Sequence, residues 1–444
     1  MTDTIFALAS APGKAGVAVI RVSGPGAAAA LCDLAGSLPA PRRATRRRFC
    51  DPRTGETVDD GIALYFKAPA SYTGEDVVEL HLHGGRAVLD AVFASLGARD
   101  GVRLAEPGEF TRRAFLNGKL DLTEAEAVAD LVAAETAAQR RQALRQLDGQ
   151  FGRRCAAWRE RLIRAQAWLE AEIDFPEEDL PAALWSAVRA EVAALADEIG
   201  EELADKGRGE RLRNGVSIAI LGPPNAGKSS LMNALAQRDV AITSQIAGTT
   251  RDVIEVELDL GGYPVILADT AGLRPPGDAV EEEGIRRARA RAETADLRLV
   301  VVDASKPEEF AAIRGYLNEG AILVVNKIDL VDDKDARRRD ACAGFPTLPV
   351  SVRTGAGLAE LISQLTETVG KSLTGEHAPL VTRARHRAAL EACYAALGRF
   401  ARAALPELAA EDLRAAAAAL GRIVGRVDVE DMLDALFREF CIGK

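Results

Sequence analysis

The glycine-rich segment GPPNAGKS (222–229) constrains the fold more than any other stretch of this chain. It follows an apolar strand pattern, VSIAIL (216–221), and precedes a helical pattern, SLMNALA (230–236). Glycines in such a loop let backbone N–H groups approach phosphate oxygens, while Lys228 reaches the β- and γ-phosphates and the Ser229 hydroxyl binds Mg²⁺. The segment therefore predicts a phosphate-binding loop between a strand and a helix of an α/β domain.

Two downstream segments supply the rest of a triphosphate and metal site. An apolar strand pattern ends in Asp269-Thr-Ala-Gly272, where the carboxylate can hold Mg²⁺ through water and the glycine N–H can sense the γ-phosphate. Between this segment and the loop lies IAGTTRD (246–252), in which Thr249 or Thr250 can close over the metal when a triphosphate is bound. The order of these segments indicates a nucleoside-triphosphate site.

A later segment, Asn326-Lys327-Ile328-Asp329, indicates guanine. A carboxylate accepts hydrogen bonds from both guanine N1–H and the 2-amino group, and an asparagine can read the O6/N7 side. Adenine would leave the carboxylate unpaired, a mismatch worth ~10⁴-fold or more in discrimination. Ser351-Val352-Arg353 then resembles the loop that touches the base in such sites. The five elements in this order predict a GTP site.

Length and composition set the broad class. The 444 residues favour about three domains, and 48% hydrophobic residues are enough for packed cores. No run approaches the ~20 apolar residues that span a bilayer, and the N-terminus lacks a basic start, so we expect a cytoplasmic protein without a membrane segment. The six cysteines include no CxxC pair, so reduced thiols are expected. His81 and His83 lack an evident third metal ligand, which favours packing over metal binding.

The net charge of −10 excludes electrostatic attraction of nucleic acid by the molecule as a whole. Any RNA contact must therefore use local basic patches. Two such patches are Arg42-Arg43 with Arg46-Arg47-Arg48, and Arg140-Arg141 with Arg145. On sequence alone, a solvated surface is the favoured interpretation of both.

Hydrophobic periodicity divides the chain. Short β-type runs between Gly/Pro turns come first, helical spacing follows, and helical spacing returns after the nucleotide domain. Because neither helical block has a complete core of its own, we expect one helical domain interrupted by the nucleotide domain. The predicted domains are an α+β domain (1–118), a first helical segment (119–210), the nucleotide domain (211–375) and a second helical segment (376–444).

Four stretches outside the nucleotide motifs carry a family resemblance. They are DTIFALASAPGKAGVAVIRVSG (3–24), SYTGEDVVELHLHGG (71–85), EPGEFTRRAFLNGKLDLTEAEAVADL (106–131) and FCIGK (440–444). With the GTP motifs, they make the chain resemble the MnmE (TrmE) family of tRNA-modification GTPases over nearly its whole length. The resemblance implies a multidomain α/β protein with an N-terminal α+β domain for folate binding and dimerisation, a helical domain from two chain segments, and an inserted Ras-like P-loop GTPase domain.

The resemblance also implies a reaction and partners. Family members form a homodimer and act on tRNA with the FAD-dependent protein MnmG, in a heterotetrameric or larger complex. Together they place an aminomethyl or carboxymethylaminomethyl group on C5 of the wobble uridine. The one-carbon unit comes from 5,10-methylene- or 5-formyl-tetrahydrofolate, and GTP hydrolysis with Mg²⁺ and K⁺ drives conformational changes.

The family's nucleotide motifs map onto this chain residue by residue. The implied GTP contacts are Asn225, Ala226, Gly227, Lys228, Ser229, Ser230, Ser244, Gln245, Ile246, Ala247, Gly248, Thr249, Thr250, Asp269, Thr270, Ala271, Gly272, Asn326, Lys327, Asp329, Ser351, Val352 and Arg353. The implied ligands are Ser229 and Thr250 for Mg²⁺, and Asn225, Ser244, Ile246 and Thr249 for K⁺. Ser244 stands where the family often has threonine, and Pro223 where it usually has a basic or polar residue.

Leu273 occupies the position at which Ras-type enzymes place a water-orienting glutamine. Its side chain cannot form hydrogen bonds, so catalysis must come from elsewhere. By resemblance, K⁺ neutralises charge in the transition state and Glu281 orients the attacking water through a second water. The alternatives are Glu282 or Glu283 for the water, and an arginine finger from Arg251 or Arg274 in place of K⁺.

The same resemblance places folate contacts at Arg21, Glu79, Lys119 and the terminal Lys444. A carboxylate suits the two donors of a pterin edge, and Arg or Lys suits the carboxylates of the glutamate tail. Cys441 is either a reactive thiol near the folate or a structural thiol, and the sequence favours neither.

Two other functions remain open on sequence alone. A ribosome-assembly or signalling GTPase switch carries the same motifs but attaches a KH-type or second GTPase domain. A folate enzyme regulated by GTP would need no RNA. Residues 1–118 and the FCIGK tail favour tRNA modification over the first alternative.

Overall fold

The structure is a computed structural model that describes most of the chain. The described residues are 3–174, 182–238, 255–269, 294–306, 308–317, 320–331, 345–375 and 377–427, with 433, 436, 437, 440 and 443. Two compact units are present. The first comprises Met1–Ala129, Gln146–Ala193 and Ala395–Lys444, and the second comprises Asp130–Arg145 and Ala194–Tyr394.

The strands lie in two sheets, one in each unit. The first sheet contains β1 (Thr4–Leu8), β2 (Ala18–Ser23), β3 (Thr45–Cys50), β4 (Thr57–Phe66), β5 (Val77–Leu82) and β6 (Val102–Leu104). The second contains β7 (Val216–Leu221), β8 (Glu255–Leu260), β9 (Tyr263–Asp269), β10 (Leu297–Asp303), β11 (Ala321–Asn326) and β12 (Thr347–Pro349).

The helices of the described residues follow in chain order. They are α1 (Ala27–Ala35), α2 (Arg86–Gly97), α3 (Glu109–Leu116), α4 (Leu122–Val132), α5 (Ala137–Leu147), α6 (Gln150–Asp174), α7 (Ala182–Leu203), α8 (Arg208–Asn214), α9 (Lys228–Ala236), α10 (Glu309–Ala312), α11 (Leu358–Leu373), α12 (Ala384–Phe400) and α13 (Pro406–Val424). Short 3₁₀ helices occupy Arg314–Tyr316 and Ile328–Leu330.

The first sheet has the strand order β3-β4-β5-β2-β1-β6, antiparallel except where β1 pairs with β6. Alternate side chains of β2 and β5, such as Ile20 and Leu80, pack with buried residues of α1 and α2. Because side chains alternate across a strand, Arg21 and Glu79 project from the other face. The two residues are directly opposite each other in the β2–β5 register.

In the same unit, α6 packs along α13, a helix that lies beyond the nucleotide domain in the sequence. The buried residues of α6 include Trp158, Leu162, Ala165 and Leu169, at helical spacing. The buried face of α13 is rich in alanine, which lets the two helix backbones approach closely. Helices from the two sides of the nucleotide domain therefore share one core, while the four domain boundaries expected from the sequence stay a prediction.

The second sheet has the order β12-β11-β10-β7-β9-β8 and is parallel except for the β8–β9 pair. Its central strands are buried on both faces, as their continuous apolar sequences require. Ile220 and Val301 belong to the core on one face, and Leu221 and Val300 to the core on the other. The predicted α/β class is confirmed.

The carboxyl ends of β7, β10 and β11 lie at the same edge of this sheet. The strand order reverses direction at β7, since β10 and β9 flank it on opposite sides. Open parallel sheets bind ligands outside the carboxyl ends of their strands at such a reversal. The fold therefore predicts a ligand site at the loop after Leu221.

Candidate nucleotide-binding site

The glycine-rich loop joins the end of β7 to the start of α9, as predicted. Its backbone takes the left-handed region at Gly222 (φ 142°), Asn225 (φ 63°) and Gly227 (φ 97°). A Cβ atom at Gly222 would overlap the Val301 carbonyl oxygen. Glycine is therefore required at position 222, both for its backbone angle and for its close approach to β10.

Lys228 lies at the first position of α9 and is only 8% exposed. Its Nζ donates hydrogen bonds to the carbonyl oxygens of Gly222 (2.8 Å) and Pro223 (2.7 Å). The ammonium group is thus held inside the curve of the loop, next to a helix N-terminus. Both features favour binding of an anion such as a phosphate.

Asn326, the last residue of β11, connects the loop to the segment predicted to touch the base. It is 2% exposed, and its Nδ2 donates to the Ala226 carbonyl at 2.9 Å. Its Oδ1 accepts from the Val352 N–H at 3.3 Å. Asn326 therefore fixes the positions of two site segments, a role that was not predicted from the sequence.

Lys327 has a left-handed backbone (φ 63°), and its Nζ reaches Asn225 and Asp303. It donates to the Asn225 carbonyl at 2.7 Å and to Asp303 Oδ2 at 2.7 Å. Burial raises the pKa of Asp303, but hydrogen bonds from Lys327 and Ser305 outweigh burial and hold the pKa below its ordinary value. Asp303 is thus an ionised anchor for the lysine.

Asp303 was not among the site residues predicted from the sequence. The available signal was its place at the end of an apolar strand pattern, LRLVVVD, because parallel strands bring such residues to one edge.

Asp329 is arranged to accept hydrogen bonds from a base. Ser351 Oγ donates to its Oδ1 at 2.5 Å, and Arg353 approaches its Oδ2 through Nε (2.8 Å) and Nη2 (2.6 Å). The hydrogen bond from Ser351 comes first among the causes that hold the pKa of Asp329 below its ordinary value, and that from Arg353 also contributes. The carboxyl group is therefore ionised and correctly charged to pair with guanine N1–H and its 2-amino group.

The structure brings together the predicted residues 225–230, 326, 327, 329 and 351–353. The Asp269 backbone ends β9 and pairs in register with Ile220 of β7. The other predicted nucleotide, metal and catalytic residues of this domain lie outside the described residues. They are Ser244, Gln245, Ile246, Ala247, Gly248, Thr249, Thr250, Thr270, Ala271, Gly272 and Glu281, with the alternatives Arg251, Arg274, Glu282 and Glu283.

A second group of charged residues lies on the first sheet. Arg21 donates through Nε (3.0 Å) and Nη2 (2.9 Å) to Glu79 Oε1, and His81 Nε2 lies 3.3 Å from Glu79 Oε2. The Arg21 guanidinium lies over the rings of Tyr72 and Phe110, at 5.3 and 5.7 Å from their centroids. Arg21 and Glu79 are therefore fixed by an ion pair and by cation–π contacts.

Tyr72, Phe110 and His81 had no folate role predicted from the sequence. Of the other predicted folate residues, Lys119 donates from Nζ to the Pro69 carbonyl at 3.1 Å. Lys444 and Cys441 lie outside the described residues. Gly443 is described, and a Cβ atom there would overlap the carbonyl oxygen of Leu8, at the end of β1. Gly443 therefore lies against the end of β1, the strand that pairs with β2 in the register Ala7–Arg21.

A phosphate-binding loop beside an Asn-Lys-x-Asp segment on a parallel sheet defines a guanine-nucleotide-binding protein of the P-loop class. Comparison with known proteins narrows this class. The model of the MnmE helical domain matches residues 122–441, and the model of the GTP-binding protein TrmE N-terminus matches residues 4–119. The chain belongs to the MnmE (TrmE) family of GTPases.

Curated relatives match over the full length. The proteins named tRNA modification GTPase MnmE from Rhodospirillum rubrum and Parvibaculum lavamentivorans are 54% and 55% identical to this chain. Each match covers 100% of this chain and at least 99% of the relative. Era of Aquifex aeolicus is a similar solved structure, with 27% identity, 43% of this chain and 69% of that chain covered, and a TM-score of 0.29.

Among the described helices, none combines the length and the hydrophobicity that a membrane-spanning segment requires.

Proposed function

We propose that this protein hydrolyses GTP while it modifies C5 of the tRNA wobble uridine, together with the flavoprotein MnmG. The observation that carries the proposal is the presence of two separate charged sites in one chain. One is the ionised Asp329 beside the phosphate-binding loop, and the other is the Arg21–Glu79 pair on the first sheet. A GTPase switch would need the first site only, whereas a one-carbon transfer enzyme also needs the second.

At the nucleotide site, Asp329 reads guanine and Lys228 binds the β- and γ-phosphates. Ser229 and Thr250 hold Mg²⁺, and Asp269 holds it through water. Asn225 is exposed, and its side-chain amide forms no hydrogen bond with a described residue, so its oxygen fits the role of a cation ligand. We assign it to K⁺, together with Ser244, Ile246 and Thr249.

At the first sheet, Glu79 accepts the donors of a pterin edge. A carboxylate has about four acceptor positions, of which Arg21 occupies two on Oε1 and His81 one on Oε2. The described residues therefore leave one position open, and displacement of His81 frees a second. Lys119 and Lys444 suit the carboxylates of the folate tail. The ligand is a 5,10-methylene- or 5-formyl-tetrahydrofolate.

The remaining features of the proposal follow the family. The protein acts in the cytoplasm as a homodimer formed by its N-terminal domains, within a complex that contains MnmG. Glu281 orients the attacking water. The full-length matches to tRNA modification GTPases support this function over that of a ribosome-assembly switch.

The proposal is tested by deleting the gene and measuring tRNA nucleosides by mass spectrometry. We expect loss of the modified wobble uridine and its return when the wild-type chain is supplied. Wild-type nucleoside levels in the deletion strain would show that the protein has another function.

Cys441→Ser separates the two sites. A thiolate is nucleophilic and can form reversible carbon–sulfur adducts, whereas serine keeps the size without that reactivity. If Cys441 handles the one-carbon unit, the variant retains GTP hydrolysis but loses wobble-uridine modification in the complemented deletion strain. Full modification by the variant would identify Cys441 as a structural thiol.

A further inference from the structure

The second unit contains a pocket of about 250 Å³ away from the nucleotide loop. Its apolar wall is formed by residues such as Leu212, Leu373 and Tyr263. Arg141 and Arg145 of α5 and His377 also line it. No described lining residue is acidic.

Helix α5 forms one wall of this pocket and is held in place by hydrogen bonds that its N-terminal half forms. The Ala138 N–H donates to the Gly262 carbonyl at 3.0 Å. Gln139 Nε2 donates to the Arg213 carbonyl at 2.9 Å, and Gln142 Nε2 to the Gly209 carbonyl at 3.0 Å. The buried face of α5 is thus fixed to α8 and to the β8–β9 turn, and this directs Arg141 and Arg145 to the pocket.

The opposite wall is the segment after α11. Arg208 Nη2 donates to the His377 carbonyl at 2.8 Å, and a side chain at Gly375 would overlap the Arg208 guanidinium. This packing places a third arginine behind the wall. The described part of the pocket lining is therefore held in place on both sides and carries positive charge from Arg141 and Arg145.

Neither Arg141 nor Arg145 forms an ion pair or hydrogen bond with a described residue, although many other arginines of the protein do. Two cations without such partners next to each other repel, and an anionic ligand would relieve this repulsion. These two arginines form a local positive charge on a chain whose net charge is −10. Arginine also suits phosphate because its planar N–H groups can bind two oxygens at once.

We propose that this pocket takes up a phosphate group of an RNA strand; the inference rests on the proposed function, in which tRNA is the substrate. The volume lies below the roughly 300–1,000 Å³ of pockets that enclose a free small molecule, so the pocket fits one portion of a larger ligand. Arg141 is exposed, which lets a strand continue beyond the rim. The Tyr263 ring can contact the adjoining nucleoside.

The test measures binding of fluorescein-labelled, unmodified tRNA to the full-length protein by anisotropy at several salt concentrations. We expect Arg141→Ala and Arg145→Ala each to weaken binding about tenfold, since each removes a charge-assisted hydrogen bond. Each substitution also lowers the slope of log affinity against log salt by about 1.

The matched control is Arg140→Ala. It removes the same charge from the neighbouring position of the same helix, but Arg140 does not line the pocket. If attraction of tRNA were nonspecific, all three substitutions would weaken binding equally. If tRNA binds in the pocket, the control substitution weakens binding far less than the two pocket substitutions. Unchanged unfolding midpoints in denaturant show that the variants are folded.

Three results would overturn the inference. One is equal tRNA binding by the wild type, the two pocket variants and the control. Another is an Arg141→Ala variant that loses binding of a fluorescent nucleoside monophosphate but keeps binding of tRNA. That result would assign the pocket to a free nucleotide. The third is a wild-type protein that restores the modified wobble nucleoside in a deletion strain but binds no tRNA in the anisotropy measurement. That result would overturn the pocket inference and would still support the proposed function.

Discussion

The two candidate sites are each built around an arginine–carboxylate pair, but the two arginines differ in exposure. The Arg353 side chain is 73% exposed and the Arg21 side chain 20%, whereas the carboxylates are similarly shielded, Asp329 at 12% and Glu79 at 16% exposed. An ion pair whose arginine lies mostly in solvent contributes little stability, and that arginine is displaced easily, but a pair with both partners half-buried is costly to break. The first pair can therefore yield to an incoming base, while the second belongs to the fold of its sheet.

The difference also concerns how each pair is held. Asp329 keeps its bond to Ser351 if Arg353 leaves, so its carboxylate remains oriented for guanine. Among the described residues, Glu79 would keep the contact with His81 alone if Arg21 were removed. Four substitutions, ordered from the largest expected effect to the smallest, can break or sharpen this comparison.

Asp329→Asn should reverse the preference for the base. An amide cannot accept from both guanine N1–H and the 2-amino group, but it can donate to the C2 oxygen of xanthine. We expect the preference for GTP over xanthosine triphosphate to fall on the order of 10⁴-fold. Competition against a fluorescent GTP analogue measures both affinities. Equal GTP binding by wild type and variant would remove Asp329 from the site.

Asn225→Ala should reduce hydrolysis in K⁺ on the order of 10²-fold, the scale for loss of one group that stabilises transition-state charge. GTP binding should stay largely intact, because Lys228 and Asp329 are unchanged. The measurement compares turnover in K⁺ and in Na⁺ for both proteins. A wild type that hydrolyses GTP equally in the two salts would favour Arg251 or Arg274 as the catalytic cation.

Arg21→Ala should lower the free energy of unfolding by about 1–3 kcal/mol, because it leaves a mostly buried carboxylate without its cation. Urea unfolding measures the change. The matched control is Arg46→Ala, which breaks an ion pair with Asp60 on the same sheet, where the Arg46 side chain is 82% exposed. We expect no measurable change in the control. Equal effects of the two substitutions would contradict the assigned difference in burial.

Arg353→Ala should change the GTP dissociation constant by less than about fivefold, since the Arg353 side chain lies mostly in solvent. Ser351 still orients Asp329 in this variant. Titration with the same fluorescent analogue used for Asp329→Asn gives the comparison directly. A loss as large as that of Asp329→Asn would mean that Arg353 takes part in base recognition.

The two sites also differ in how far the sequence predicted them. The phosphate-binding loop and the Asn-Lys-x-Asp segment each lie within a few consecutive residues, so their chemistry can be predicted from the local sequence. The Arg21–Glu79 pair spans 58 positions and is formed by strand register. From the residues alone it was an ordinary pair of charges, and only the family resemblance marked it.

The sequence by itself determined the α/β class, the guanine-nucleotide motifs and the family, because these depend on local patterns and on extended stretches of residues. Tertiary structure decided that Asp303 anchors Lys327, that Asn326 joins two loops, and that Tyr72 and Phe110 enclose Arg21. It also decided that two arginines of α5, Arg141 and Arg145, line the same pocket. The physical reason is that each of these contacts joins residues from separate segments, and their distances are set by strand pairing and core packing.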